Sequence, residues 1–284
     1  MRGLIQLLRL RLAAAVGLSA AAGYALADDG VGAELIPPAA GCILLAAGAS
    51  ALNQVQERRQ DARMARTAGR PIPIGRLSAL EGSVVAGMLL MAGEALLLLG
   101  SLFAAALGVL AVLWYNVLYT HLKRRTAFAA VPGALTGCLG PAIGWSAAGG
   151  QADGSRLFAI MIIMFLWQVP HFWVLGLQRK DEYRAAGLPS PAAALGTDRL
   201  SRITFVWSLG TAVATLMLPL LGVLQRPGML IALGVAAAAL AILGGGLLRT
   251  GGPSPRALRR GFAGLNLFIL ITLVLVLVDR GLAS

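Results

Sequence analysis

Three oxygen-bearing side chains, Asn53, Glu57 and Asp61, recur at four-residue intervals in the stretch Asn53-Gln-Val-Gln-Glu57-Arg-Arg-Gln-Asp61. If the helix carrying Asn53 continues, that spacing stacks them along one face. Such a column suits a hard cation, and magnesium is commonly held by one or two carboxylates together with substrate phosphates. Arg59, Arg63, Arg66 and Arg70 follow before Pro71, and a guanidinium group meets phosphate oxygens two at a time. The chemistry implied is the grip of a metal-bound diphosphate. The plainer alternative pairs Glu57 and Asp61 with these arginines on a solvated helix end, where ion pairs are common and weak. Position favours the first reading, because Asn53 and Glu57 end a long apolar segment and polar groups within a membrane helix are costly and tend to mark sites.

A second polar stretch begins inside an apolar run at Trp167-Gln-Val-Pro170-His171-Phe172-Trp173 and continues to Gln178-Arg-Lys-Asp181-Glu182-Tyr183-Arg184-Ala-Ala-Gly187-Leu-Pro189. Asp181 and Glu182 are candidates for a second metal position, and since neighbours in sequence do not share a helix face, one of the two is expected to point inward. A lone histidine such as His171 is usually a hydrogen-bonded packing residue. Its functional alternative is proton transfer or porphyrin contact. A third stretch, Tyr115-Asn116-Val-Leu-Tyr119-Thr120-His121-Leu-Lys123-Arg124-Arg125-Thr126, ends as a basic membrane-helix terminus ordinarily does. Asn116 and Tyr119 lie deeper in the span and are harder to dismiss.

The elements that position these groups are membrane helices. The 284 residues are 58% hydrophobic and 13% charged, with mean hydropathy +0.79, more apolar surface than a soluble domain of this size hides. The composition predicts an all-α polytopic bundle of about nine spans, near 9–27, 36–57, 79–99, 102–120, 127–148, 157–177, 203–223, 228–247 and 259–278, forming one domain over 1–284. The least distinct boundary is Gly100-Ser101, between the third and fourth. The basic N-terminal stretch resembles a targeting signal, but a second apolar run follows a brief acidic turn, which favours a retained first helix. Cys42 and Cys138 stand alone in apolar runs and read as small buried hydrophobes.

Charge placement tests the span count. Alternate connections on one side hold 21 of the 24 Lys and Arg residues, and the other side has only Arg156, Arg226 and Arg280, beside Asp28, Asp29, Glu34, Asp153 and Asp279. By the positive-inside rule the N-terminus is cytoplasmic and the C-terminus lies on the opposite side. The same partition accounts for the net charge of +12 without nucleic acid as a partner. The two longest connections, after spans two and six, lie on the basic side and carry most of the polar chemistry.

The pattern N-x-x-x-E-x-x-x-D-x-x-M-x-R-T-x-x-R-P, complete from Asn53 to Pro71, resembles the first motif of the UbiA superfamily of intramembrane prenyltransferases. Glu57 in place of the more usual aspartate, with Met64 ahead of Arg66-Thr67, is similar to the protoheme IX farnesyltransferase (heme O synthase) branch. Tyr119 to Thr126, one residue short of the expected spacing, also resembles it, as do Trp167 to Phe172 and Glu182 to Pro189. Two places depart from the branch: Gly140-Pro141 where Pro-Pro is common, and Ser190-Pro191-Ala-Ala-Ala after Pro189.

The resemblance implies a UbiA-like fold in the inner membrane of a bacterium and transfer of farnesyl from farnesyl diphosphate to a vinyl carbon of protoheme IX, with water addition. Asn53, Glu57 and Asp61, with Asp181 or Glu182 opposite, are then expected to hold Mg2+. Arg66, Arg70, Lys123 and Arg124 are expected to grip the diphosphate, and Tyr119 and Asn116 to lie beside the allylic cation, with His171 toward the acceptor. A later heme A synthase or a terminal oxidase would receive the product. Other aromatic acceptors such as quinone precursors, a transporter whose polar groups mark an ion path, and a heme-binding assembly factor remain alternatives, with Glu94 the main acidic residue away from the polar end.

Overall fold

The computed structural model describes residues 2–28, 31–150 and 154–282, so Asp29 and Asp153 of the sparsely charged side lie outside the described residues. Within them the chain is helical, as its apolar windows require. It begins with a short α1 (Arg2–Leu8) and the spans α2 (Leu10–Asp28) and α3 (Ile36–Gln56), then α4 (Arg58–Asp61), α5 (Ala79–Gly100) and α6 (Leu102–Leu113). A π-helical turn over Trp114–Tyr119 leads to α7 (Thr120–Leu122), then α8 (Ala130–Gly133), α9 (Leu135–Ala147) and α10 (Ser155–Gln178). The rest comprises α11 (Lys180–Ala185), α12 (Pro191–Leu195), α13 (Thr197–Ala214), α14 (Met217–Leu220), α15 (Pro227–Gly244) and α16 (Pro255–Gly281).

Eight helical stretches among the described residues are long and apolar enough to cross a membrane, each close to an expected span. The fifth expected span, 127–148, is the exception. It divides into α8 and the 13-residue α9; Pro132, which lacks a backbone donor, lies in the short first piece, while Pro141 is accommodated within α9. The Gly100-Ser101 boundary is a true break. Ser101 takes an extended backbone and its hydroxyl caps α6 by accepting from the Ala104 N–H at 2.9 Å. Ser78 and Glu81 close a reciprocal capping box at the start of α5, which satisfies two donors that a helix N-terminus otherwise leaves bare.

Each span packs on the next, and α16 returns to α2, closing a ring of helices. The broken α9 crosses α2 closely: a methyl group at Gly144 would overlap the Ala20 carbonyl, and one at Gly23 would overlap that of Pro141. With no hydrophobic drive between helices in lipid, close backbone approach through small residues holds such a crossing. The apolar core beside it contains Trp145, Ile160, Ile163, Ile269 and Leu273, while α5, α6 and α15 turn Leu99, Leu102 and Ile242 outward. At the sparsely charged end, Asp279 accepts from the Gln225 and Arg226 N–H groups at 3.1 and 3.3 Å, and Arg226 donates back to the Asp279 carbonyl at 2.6 Å. Both cysteines are buried and free.

Candidate active site

Helix α3 ends at Gln56, and Glu57 turns with φ −100° and ψ 6° before α4 begins. The hydrogen bonds from Glu57 N–H to the Asn53 carbonyl (2.9 Å) and from Asp61 N–H to the Glu57 carbonyl (2.8 Å) nevertheless keep the four-residue register. The expected column therefore survives a helix break rather than lying on one continuous helix. Thr67 secures the turn that follows, its hydroxyl donating to the Asp61 carbonyl at 2.9 Å. Thr67 and Met64 are buried while Arg63 and Arg66 keep exposed faces, so the motif alternates anchors with free cations.

Each carboxylate of the column meets one cation. Asp61 pairs with Arg70 at 2.6 Å and Glu57 with Lys123 at 2.9 Å. The second contact joins the loop after α3 to the segment after the π turn. Around it, the Asn53 amide donates to the Thr120 hydroxyl at 2.9 Å, leaving its carbonyl oxygen for a further partner. Arg124 donates to the Gln56 carbonyl at 3.1 Å, tying down the end of α3. Asn116 is buried and donates to the Ala49 carbonyl at 3.0 Å and to Gln56 Oε1 at 3.3 Å. Its geometry is that of a strut between α3 and the π turn, with Oδ1 buried and unpartnered. Tyr119 stacks between Tyr115 (5.8 Å) and Phe172 (5.7 Å), with the Lys123 ammonium 5.2 Å from its ring centre. Gly133 permits this arrangement, since a side chain there would strike the Tyr119 ring.

From α11, Glu182 turns inward with Oε2 buried and unpartnered, whereas Asp181 is exposed. The inward carboxylate faces cations. Burial first, then the charges of Arg179, Arg70 and Arg9, push the Arg66 guanidinium down to about 10, with Glu182 opposing. Arg179 is also lowered, by burial first, with Tyr183 and Glu182 opposing and Arg9 and Arg70 adding to the shift. Cations crowded closely enough to disfavour one another's charge are ready for an anion.

Two members of this cluster, Arg9 and Arg179, escaped the sequence reading. Arg9 sits at the break between α1 and α2 with φ 48°, the non-glycine residue of positive φ among those described, and its charge reaches Tyr119 as well as Arg66 and Arg179. Gln54 fixes α1 beside it by donating to the Leu7 carbonyl at 2.7 Å. Arg9 counted only as topology in the sequence, since nothing local signals its backbone reversal.

His171 lies off this cluster, its ring centre 4.8 Å from Phe262 and 5.0 Å from Trp167, with Nδ1 buried and unpartnered and Asn266 alongside. The ring contacts run without interruption from Tyr115 through Tyr119, Phe172 and His171 to Phe262. Among the described residues no three His, Cys, Asp or Glu side chains form a compact metal cluster. Hard oxygen donors are nonetheless present, namely the Asn53 carbonyl, Glu57, Asp61 and the orphan Glu182 oxygen, and they match the preferences of magnesium. Glu94 lies apart in α5, against Gly108, with both oxygens buried and unpartnered.

The UbiA prenyltransferase family pattern matches residues 16–277. The chain belongs to that family. Among curated relatives it is 36% identical over 287 residues to the protoheme IX farnesyltransferase of Oleidesulfovibrio alaskensis, spanning 100% of this chain and 98% of that one. It is 41% identical over 218 residues to the protein of the same name from Geobacter sulfurreducens, covering 77% and 81% of the two chains. In fold it is similar to a UbiA homologue from Aeropyrum pernix (TM-score 0.73, 18% identity, 94% and 98% covered). It is also similar to a homologue from Archaeoglobus fulgidus bound to GPP and Mg2+ (TM-score 0.66, 15% identity, 96% and 99% covered). Like those UbiA proteins, this chain is a helical membrane bundle. Its departure at Ser190-Pro191 builds a capped helix, with the Ser190 hydroxyl accepting from Ala193 N–H at 3.2 Å and Pro191 in the first turn of α12.

Proposed function

We propose that this chain transfers farnesyl from farnesyl diphosphate to a vinyl group of protoheme IX, with addition of water, giving heme O and diphosphate. We place the active end at the cytoplasmic face of the bacterial inner membrane, with the N-terminus on that face and the C-terminus opposite. Residues 1–284 act as one domain. The names of relatives that align along nearly the whole chain support the substrates. The observation that carries the chemistry is the crowding of Arg9, Arg70 and Arg179 about Arg66, with the Glu182 carboxylate facing Arg66 and Arg179 and with the Glu57–Lys123 and Asp61–Arg70 pairs formed in the same motifs.

Asn53, Glu57, Asp61 and Glu182 would hold Mg2+, which when bound neutralises charge on the diphosphate oxygens. Arriving diphosphate competes with Glu57 for Lys123 and with Asp61 for Arg70, so the resting ion pairs serve as stores of cations already in position. The arginines stabilise negative charge as the allylic carbon–oxygen bond breaks, and fixed charges do this without reorganising solvent. The Tyr115–Tyr119–Phe172 stack borders the carbocation with ring faces and excludes water that would quench it. The new carbon–carbon bond forms at the terminal vinyl carbon. Water adds to the inner carbon and releases a proton, and the unpartnered Nδ1 of His171 is suited to accept it.

The test is purified protein with magnesium, farnesyl diphosphate and protoheme, read by product mass. A product carrying one farnesyl group and one water supports the proposal. Product formed with hydroxybenzoate and none with protoheme would transfer the activity to another aromatic acceptor.

A further inference from the structure

The π turn that carries Asn116 and Tyr119 inward has an outer face with its own shape. A shallow groove of about 410 Å³ runs along it, walled by Leu110, Leu113, Trp114 and Val117 and ending at His121 and Arg125. That volume lies within the range of about 300–1,000 Å³ usual for small-molecule pockets. We propose that this groove binds one anionic phospholipid, with an acyl chain along the apolar wall and the phosphate at Arg125.

The groove follows from the winding. Thr120 N–H bonds back to the Tyr115 carbonyl, five residues earlier, and such a bulge widens the helix locally. Trp114 cannot swing across the gap, because its indole N–H donates to the Pro132 carbonyl at 2.8 Å. Leu113 and Val117 remain exposed, at 52% and 58%, on the side opposite the active site.

Charge selects the occupant. Of three consecutive cations, Lys123 and Arg124 turn inward to Glu57 and the Gln56 carbonyl. Arg125 is exposed and has no ion pair among the described residues. His121 is held beside it, Nδ1 donating to the Val117 carbonyl at 2.7 Å, which leaves Nε2 for another partner. An apolar trough ending in a free guanidinium at the basic end of a membrane helix complements a ligand with a hydrocarbon tail and one phosphate. Farnesyl diphosphate shares that chemistry but carries more charge than one arginine balances, and the groove lacks the carboxylates that would share a metal with it. A bound lipid would brace the back of the segment that carries Tyr119 and Lys123.

The experiment is native mass spectrometry of the full chain, delipidated in detergent and titrated with phosphatidylglycerol or phosphatidylcholine. The wild type should retain one phosphatidylglycerol in preference to phosphatidylcholine. Arg125→Gln should weaken that binding about fivefold, as expected for one basic residue at an anionic lipid surface. Val117→Trp fills the trough without altering charge, sits on an exposed surface and should abolish retention, whereas Arg259→Gln, in the first turns of α16, should leave it intact. Equal retention of the two lipids, unchanged retention in both groove variants, or stoichiometric displacement by farnesyl diphosphate would each overturn the proposal.

Discussion

Glu57→Gln tests whether the carboxylate at the α3 break acts on the diphosphate or merely holds Lys123. In the structure the two are 2.9 Å apart, with Lys123 26% and Glu57 14% exposed. At an effective dielectric of 20, Coulomb's law gives an attraction of about 6 kcal/mol at that separation. Most of it is offset by desolvation, so removing the charge is expected to cost only about 1 kcal/mol of stability. Loss of a metal-holding oxygen is a different matter. It should lower turnover about a hundred- to a thousandfold, the scale seen when one fixed charge-stabilising group is removed. It should also raise the magnesium concentration for half-maximal rate at least about tenfold. The freed Lys123 keeps its grip on substrate, so KM for farnesyl diphosphate should stay flat or fall. The assay is steady-state turnover across a magnesium series, beside thermal unfolding in the same detergent. Turnover within threefold of wild type at unchanged magnesium demand would refute the role, and a raised KM with unaltered kcat would reduce Glu57 to a positioning partner of Lys123.

Three further outcomes follow from the same geometry. Arg66 carries a folded-state pKa lowered to about 10, so its protonated form is disfavoured on folding and stability should rise as pH climbs through that value. Arg66→Gln should accordingly leave the thermal midpoint equal or higher while raising KM for farnesyl diphosphate, and a lower midpoint would contradict the crowding of cations. Arg9→Gly should relieve the φ 48° backbone by about 1 kcal/mol yet weaken protection against thermal unfolding by inorganic diphosphate, whereas unaltered protection would remove Arg9 from the anion site. Gly144→Val would drive a side chain into the Ala20 backbone, so a loss of about 3 kcal/mol or more in stability is expected, read as a lower midpoint in detergent, and a wild-type midpoint would show that the α2–α9 crossing can widen.

Sequence alone determined the helical membrane class, the positions of the spans and the end of the bundle where polar groups gather. These are local quantities: a window of apolar residues either spans hydrocarbon or does not, and arginines cluster in alternate loops regardless of how the helices pack. It also brought out Asn53, Glu57 and Asp61, because a four-residue period survives the turn at Glu57 through its backbone hydrogen bonds. Only the tertiary structure divided the fifth span, chose Glu182 over Asp181 as the inward carboxylate and turned Arg124 and Asn116 into ties on α3. It alone brought Arg9 and Arg179 to the same cluster. The physical reason is that this cluster draws on segments far apart in sequence, and it rests on a backbone reversal at one arginine and on helices meeting at bare glycines. No window of neighbouring residues encodes that convergence, because the energy that enforces it is the packing of the closed ring of helices.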